Sequence, residues 1–397
     1  MSVRQCPVCG GEELVDCLTW NRLPVFVNVT AKTEKEALQA PTGQLSIVQC
    51  TKCGFVFNAA FEPERVAYCQ GYHAERGDSV VYRTHLDNVC RLIQKTIPMK
   101  QGTALEVGCG TGEFLRVLEP CVGQQLSLLG VDPSVQPHQD GRIRFDSYLF
   151  DKAHLPQIPS DLVLLISRHM IEHVVNPLEM LRLFACALPD NGVLYLETPR
   201  LDWILEQGAF FDFGYEHCAY FTDDFMRRLL AAAGFQILAW KTSYENQYFS
   251  IFATRCPSTP CGAGASMAPA PHNELLRAQE GFSCVKEAYQ YARANFIPSP
   301  DVCIWGCAQK GVVWLNLFDP QQQCCVVDVN PYKQGKFILG TGHRILAPRE
   351  LKNRPPKAVF VMNKIYLDEI KAVVSELFPG QFIYFYVVEE NIKVLDS

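Results

Sequence analysis

Four cysteines of the 397-residue chain stand in two Cys-x-x-Cys pairs, each followed by a glycine. The first pair is Cys6 and Cys9, and the second is Cys50 and Cys53. A zinc ion takes four thiolates in a tetrahedron, and each short pair can offer two sulfurs to one ion. The pattern predicts a structural zinc site, because four sulfurs leave no position for a catalytic water. A redox pair and a chance arrangement are the alternatives.

A glycine loop with acidic residues on both sides indicates a second kind of chemistry. Glu106 precedes Gly108-Cys-Gly110-Thr-Gly112, and Asp132 ends the next apolar segment. In nucleotide-binding α/β folds such a loop lets a ligand approach the backbone, and an acid after the second strand accepts ribose hydroxyls. The spacing resembles the first motif of class I methyltransferases rather than a dinucleotide fingerprint. We therefore expect these five residues to bind S-adenosylmethionine.

Apolar runs separated by helical stretches are the elements that must position this loop. A parallel sheet covered on both faces is predicted from strands at 104–107, 126–131, 161–166 and 192–196. His169 follows the third strand and is expected on the cofactor side of the site. Around residues 257–272 the chain is rich in Pro, Ser, Gly and Ala, which predicts a linker.

A second strand, loop and helix unit follows the linker, with strands expected at 301–305 and 323–328. The distance from Gly306 to Asp328 again matches that from a phosphate loop to a ribose acid. Lys310 and Lys333 could neutralise a diphosphate, and Asn330 lies between the acid and the second lysine. The alternatives are a packing domain that binds nothing and lysines that are solvated surface charges.

The predicted fold class is therefore α/β with three domains and one linker. An N-terminal zinc-binding domain precedes a central class I Rossmann-like methyltransferase domain and a C-terminal Rossmann-like α/β domain. The expected bounds are 1–72, 73–256, 257–273 for the linker, and 274–397.

Composition limits the partners. The net charge is -6 and no run rich in lysine and arginine is present, so we expect no nucleic-acid partner. No apolar stretch approaches the roughly 18 residues of a membrane helix, and the N-terminus lacks a signal-peptide core. Most of the 18 cysteines stand singly in apolar segments, as reduced core thiols do. We expect a cytoplasmic protein, free of membranes, that is a monomer or weak oligomer.

In order, these pieces resemble the C-methyltransferases of deoxysugar biosynthesis, which act on nucleotide-diphosphate 4-keto sugars. Three stretches carry the resemblance: the paired cysteines, Phe213-Gly-Tyr-Glu216-His217 with the residues up to Thr222, and the C-terminal run 328–345 downstream of the 306–311 loop. The resemblance implies a zinc domain, an S-adenosylmethionine domain and a C-terminal domain that helps to hold the nucleotide-sugar. Substrate binding would then fall on Gly306, Lys310, Asp328, Asn330 and Lys333.

The resemblance also implies the catalytic residues. The family's Glu-His pair supplies the general base, which falls on His217 with Glu216 beside it. The family's tyrosine after the zinc domain falls on Tyr72 and its histidine after the fourth strand on His173, and these two are candidate hydrogen-bond donors or orienters. A proton beside a ketone is acidic enough for an imidazole to remove once the enolate oxygen receives hydrogen bonds. The enolate carbon can then displace the sulfonium methyl. His73 and His169 are alternative candidates.

Two departures from the family pattern leave other functions open. The family's first motif commonly reads Gly-Cys-Asn-Asp-Gly, and its glycine-rich stretch at the end of the methyltransferase domain is replaced here by residues 245–250. An O- or N-methyltransferase acting on a nucleotide-sugar is therefore one alternative. A zinc-knuckle RNA methyltransferase and a non-catalytic binding protein are the others.

Overall fold

A computed structural model of the protein describes residues 5–66, 79–97, 101–256 and 265–388. The fold is α/β, as predicted, with three sheets of four or more strands. Tyr72 and its alternative His73 lie outside the described residues.

The N-terminal part is a small antiparallel sheet with a short helix beside it. Thr33 caps this helix, accepting a hydrogen bond from the backbone N–H of Glu36. Its elements are β1 (Leu14–Pro24), β2 (Thr30–Ala31), α1 (Glu34–Leu38), β3 (Thr42–Cys50) and β4 (Val56–Asn58).

The central part contains an eight-stranded sheet with helices on both faces. Its helices are α2 (Val80–Thr96), α3 (Glu113–Val122), α4 (Pro177–Ala187), α5 (Leu201–Gln207) and α6 (Asp223–Ala232). The strands of the central part are β5 (Gly102–Val107), β6 (Leu126–Val131), β7 (His138–Asp140), β8 (Ile143–Asp146), β9 (Leu162–Arg168), β10 (Val193–Glu197), β11 (Ala219–Tyr220), β12 (Phe235–Ser243) and β13 (Tyr248–Arg255). All of them except β11 belong to the eight-stranded sheet.

The strand order of this sheet is β12-β13-β10-β9-β5-β6-β8-β7, and β10, β9, β5, β6 and β8 run parallel. Six of the seven residues of β9 are buried, which explains why this strand reads as a continuous apolar run. The order reverses on either side of β5, so the loop after β5 lies at a topological switch point, where such sheets bind ligands.

The C-terminal part is a five-stranded parallel sheet, of order β17-β15-β14-β18-β19, with a long helix leading into it. Its helices are α7 (His272–Asn295), α8 (Gln309–Phe318) and α9 (Leu367–Leu377). The strands of the C-terminal part are β14 (Val302–Trp305), β15 (Cys325–Val327), β16 (Phe337–Ile338), β17 (Ile345–Leu346), β18 (Ala358–Val361) and β19 (Tyr384–Val387). All of them except β16 belong to the five-stranded sheet.

The three parts exchange strands across the predicted boundaries. Strand β11 of the central region pairs with β4 and completes the N-terminal sheet, while β2 pairs with β16 of the C-terminal part. Predicted linker residues also pack: Met267 is buried, and the backbone N–H of Ala270 donates to the Lys52 carbonyl. The N-terminal part is thus held by both of the others.

Within the described ranges, no helix combines the length and the apolar character that crossing a membrane requires.

Candidate active site

The four cysteine sulfurs of the two N-terminal pairs converge on one point. The Sγ atoms of Cys6 and Cys53 lie 3.7 Å apart, those of Cys9 and Cys50 lie 3.6 Å apart, and all four are within 4.8 Å of one another. Tetrahedral zinc with Zn–S bonds of about 2.3 Å separates its sulfurs by about 3.8 Å. The quartet therefore has the donor type and the spacing that a tetrahedral ion needs.

The glycine loop after β5 adopts a backbone conformation that favours glycine. Gly108, Gly110 and Gly112 have φ angles of 75°, 52° and 81°. A Cβ on Gly108 would come within 2.6 Å of Met170 Cγ, whereas one on Gly110 would meet nothing within 4 Å. The space in front of Gly110 is the open space that a ligand can fill.

Two carboxylates flank this loop. The Asp132 side chain accepts hydrogen bonds from the backbone N–H of Gly110 at 3.0 Å and from that of Ser134 at 2.8 Å. Glu106 is buried, and among the described residues its Oε2 has no hydrogen-bond partner. Burial raises the pKa of Glu106 to about 8, with Asp132 and Glu197 adding to the rise and Arg168 opposing it. These acids and the glycine cradle fit an adenosyl ligand with hydroxyl and ammonium donors.

The C-terminal loop after β14 repeats the arrangement. Asp328 accepts hydrogen bonds from the backbone N–H groups of Cys307 at 2.8 Å and Asn330 at 2.9 Å. Lys333 is buried and donates to the Cys307 carbonyl at 2.8 Å. Lys310 Nζ lies 3.2 Å from an Asp212 carboxylate oxygen, so neither lysine is a solvated surface charge.

Both loops open into one cavity of about 470 Å³. The N-terminal part contributes Asn28 to its wall, so all three parts of the chain meet there. Twelve of the predicted site residues line the cavity: Glu106, Gly108, Gly110, Asp132, His169, His173, His217, Gly306, Lys310, Asp328, Asn330 and Lys333.

Among the described residues of the predicted cofactor, substrate and catalytic sites, Gly112 and Glu216 do not line it. Gly112 directly precedes α3, and a Cβ there would overlap the Phe145 ring, so this position has no room for a side chain. Glu216 is fully buried, and its Oε1 accepts a hydrogen bond from the Val27 backbone N–H at 2.9 Å. Tyr72 lies outside the described residues.

His217 and His173 lie side by side on the cavity wall. Their ring centroids are 4.8 Å apart with the ring planes nearly perpendicular. His173 Nδ1 lies 2.9 Å from the Glu216 backbone carbonyl, which leaves Nε2 as the other donor or acceptor of this ring. The pair offers proton-accepting and hydrogen-bonding nitrogens beside the loop of the central sheet.

Two buried carboxylates behind the histidines were not among the predicted residues. A carboxylate oxygen of Glu172 lies within 4.8 Å of a ring nitrogen of His173 and of a ring nitrogen of His217. Glu197 contacts Arg168 at 2.7 Å, His85 at 3.2 Å and His169 at 3.2 Å. Glu197 is the charged last residue of an apolar strand, and this is the local signal by which sequence analysis could have found it. Glu172 lies inside a short turn and carries no such signal.

His169 is clamped between these two carboxylates. Its backbone has a left-handed φ of 49°, and its N–H donates to the Glu197 carbonyl at 2.9 Å. Its ring lies edge-on to Tyr248, with centroids 4.6 Å apart. Contacts on several sides hold this strained residue in the cavity wall.

An amide pair joins the central and C-terminal parts at the cavity. Gln247 and Asn363 exchange hydrogen bonds of 3.1 Å, and Lys310 Nζ donates to Gln247 Oε1 at 3.0 Å. Gln247 follows Tyr244, Glu245 and Asn246, which all have left-handed φ angles. The segment that departs from the family's glycine-rich pattern thus forms the wall between the two loops.

Two protein families match the chain in succession. The family described as "Methyltransferase domain" matches residues 82–239, and the family described as "C-methyltransferase C-terminal domain" matches residues 297–385. C-methyltransferase NovU of Streptomyces niveus is 21% identical over 404 residues, covering 93% of this chain and 91% of its own.

Solved methyltransferase structures match part of the chain. A SAM-dependent methyltransferase from Aquifex aeolicus has a TM-score of 0.33 and 14% identity, over 44% of this chain and 92% of its own. An S-adenosylmethionine-dependent methyltransferase from Mesorhizobium loti has a TM-score of 0.33 and 17% identity, over 43% of this chain and all of its own.

Proposed function

Because this chain is an S-adenosylmethionine-dependent methyltransferase that carries a C-methyltransferase C-terminal domain, we propose that it methylates a ring carbon of a nucleotide-diphosphate keto-deoxysugar. The observation that carries the proposal is the shared cavity. The loop after β5 and the loop after β14 face it together, with His217 on the wall. A sugar anchored by its nucleotide at one loop would present its ring at the other.

His217 is the proposed general base. Its imidazole accepts the proton from the carbon beside the ketone, and the electron pair of the C–H bond passes into the enolate. His173 is held by the Glu216 carbonyl and is a proposed donor to the enolate oxygen, where negative charge develops. Tyr72 is the second proposed donor. Glu216 supports the loop through Val27 rather than contacting substrate.

The cofactor is proposed to lie over Gly108 and Gly110, with Asp132 accepting the ribose hydroxyls and Glu106 and His169 near its amino acid end. S-adenosylmethionine supplies an electrophilic methyl group to the enolate carbon. The buried Oε2 of Glu106, which has no hydrogen-bond partner among the described residues, supports this placement because a buried polar atom requires a partner that a ligand can supply.

The substrate's nucleotide is proposed to lie at the second loop. Asp328 and Asn330 would accept ribose hydroxyls, Gly306 allows close approach of the diphosphate, and Lys310 and Lys333 supply positive charge. Lys310 would exchange its contact with Asp212 for the diphosphate, since both anions compete for one ammonium group.

The cysteine quartet is proposed to hold structural zinc. Cys50 ends β3 of the N-terminal sheet, and β4 of the same sheet pairs with β11. Strand β11 begins two residues after His217. The ion would therefore stabilise the loop that carries the base without taking part in the reaction.

Solvent exchange tests the proposal. The protein is incubated in D₂O with S-adenosylhomocysteine and 4-keto-deoxysugars linked to thymidine, uridine, guanosine or cytidine diphosphate. We expect deuterium to enter one sugar at the carbon beside the ketone, and S-adenosylmethionine to yield that sugar with one added methyl group. His217→Gln should abolish exchange while S-adenosylhomocysteine still binds.

Methyl transfer without deuterium entry would assign the methyl group to oxygen or nitrogen and refute the carbon mechanism. Exchange and transfer that persist in His217→Gln would remove His217 from the role of base. If none of the four nucleoside diphosphates raises the melting temperature of the protein, the proposed nucleotide site is refuted.

A further inference from the structure

Glu172 is a buried acid with a defined orientation beside the proposed base. It lies in a single 3-10 turn, Ile171–His173, and only 2% of its surface is exposed. The Thr198 hydroxyl donates to its Oε2 at 2.8 Å, and Thr198 itself is fully buried. Packing and this hydrogen bond therefore fix the direction of the carboxylate.

Histidines face this carboxylate from its own turn and from the loop before β11. His169 Nδ1 lies 3.4 Å from Oε1, and ligand atoms of His173 and His217 lie within 4.8 Å. These are the titratable groups that act on Glu172. A carboxylate in this position stabilises positive charge on whichever ring becomes protonated, and low solvent access strengthens the effect.

Resting on the proposed function, we infer that Glu172 is a positioning residue that orients His217 and stabilises the imidazolium ion formed when His217 takes the proton from the sugar carbon. The C–H bond breaks, an N–H bond forms on His217, and the electron pair stays on the substrate. The proton leaves later to water, so no further reactant is needed. Glu172 keeps its negative charge throughout.

The charge state of Glu172 agrees with this role. Burial alone would raise its pKa, but the neighbouring His169, His173 and His217 outweigh burial and lower the pKa to about 2. The carboxylate is thus an anion at any pH at which an imidazole works as a base.

Glu197 completes the arrangement from the other side. It lies 3.2 Å from His169 Nε2 and is itself held by Arg168 and His85. Glu197 therefore contacts His169 on the side of the ring away from Glu172. The result is a layer of alternating acids and imidazoles ending at the cavity.

Chemical modification tests the inference without a substrate. Diethyl pyrocarbonate acylates neutral imidazole, and peptide mass spectrometry reports each histidine separately. At about pH 6 we expect His217 to be acylated several-fold faster in Glu172→Gln, because loss of the anion favours the neutral ring. Thr198→Val, which only frees the carboxylate to rotate, should change the rate in the same direction by less.

A second readout uses thymidine diphosphate 4-keto-6-deoxyglucose and deuterium exchange. In Glu172→Gln the maximal exchange rate should fall about 100-fold, the size of effect that general bases provide, and the acidic limb of the pH profile should move to lower pH. Glu274→Gln is the matched control, since Glu274 is a buried acid paired with Arg228 away from the cavity. It should lower stability without moving the profile.

Acylation of His217 that is the same in wild type, Glu172→Gln and Thr198→Val would overturn the inference. Altered acylation with no exchange of any nucleotide-sugar in the wild type would overturn the proposed function and leave the role of Glu172 toward His217 intact.

Discussion

The Glu216 carboxylate accepts a hydrogen bond of 2.9 Å from the backbone N–H of Val27 and so ties the loop of the proposed base to the segment between β1 and β2 of the N-terminal part. Both residues are fully buried. Although Glu216 is adjacent to His217 in sequence, only His217 lines the cavity. Of these two neighbouring residues, Glu216 supports the loop and His217 lines the cavity.

Glu216→Ala is expected to destabilise the protein by about 1–3 kcal/mol, because the Val27 N–H loses a buried acceptor. Urea unfolding measures this loss, and the deuterium exchange rate should fall with it. Glu216→Gln keeps an acceptor oxygen and should retain most of the exchange. Complete loss of exchange in a folded Glu216→Gln protein would show that the carboxylate takes part in the chemistry.

Zinc removal should affect the active site through β11. We expect one zinc per chain by elemental analysis, and loss of that zinc in Cys53→Ser together with a melting temperature lowered by several degrees. Exchange activity should decline as well, because β11 pairs with β4 near the cysteines. Cys284→Ser changes an exposed cysteine and should alter neither property. The zinc assignment would be contradicted if the wild-type protein contained no metal and had the same melting temperature as Cys53→Ser.

Two glycines of the loop after β5 should respond differently to alanine. Gly110→Ala meets no atom within 4 Å, so it should cost only about 1 kcal/mol of backbone strain but weaken S-adenosylhomocysteine binding at least about tenfold. Gly112→Ala overlaps Phe145 in the core and should cost about 2–4 kcal/mol of stability. Calorimetric titration and urea unfolding separate the two effects. Equal affinity in Gly110→Ala would place the cofactor elsewhere.

Features that depend on a local sequence pattern were predictable, whereas features that depend on contacts between residues distant in sequence were not. The strand 126–131 was predicted with its observed bounds, and both glycine loops were found, because apolar runs and glycine spacing are local signals. The pairing of β2 with β16 and the joining of β11 to the N-terminal sheet were missed, since two-residue strands carry no pattern. Glu172 was missed because its importance depends on His217, which is distant in sequence.

Stability should depend on pH through Glu106. Its folded pKa of about 8 lies above the unfolded value of 4.5, so the folded protein retains a proton that the unfolded chain releases. The free energy of unfolding should therefore fall as pH rises through this range, by about 3–5 kcal/mol from this residue. Glu106→Gln removes the dependence and should be the more stable protein at about pH 9, with little difference near pH 5.

Urea unfolding at several pH values measures the difference between wild type and Glu106→Gln. Glu376→Gln makes the same chemical change on the exposed face of α9 and should follow the wild type at each pH. A difference between wild type and Glu106→Gln that does not grow with pH would show that Glu106 is already ionised in the folded, ligand-free protein.

Asp132 and Asp328 provide the sharpest test of two separate ligands in one cavity. Each follows the second strand of its unit and accepts a backbone N–H from its own glycine loop, Gly110 in one case and Cys307 in the other. Asp132→Asn should weaken S-adenosylhomocysteine binding about 10- to 100-fold and leave nucleoside diphosphate binding unchanged. Asp328→Asn should do the reverse.

Because both substitutions are isosteric and the two acids follow strands of different sheets, a general loss of stability would lower both affinities together. Calorimetric titration of each variant with both ligands therefore distinguishes two sites from one, and loss of the same affinity in both variants would refute the assignment of the C-terminal loop to the nucleotide.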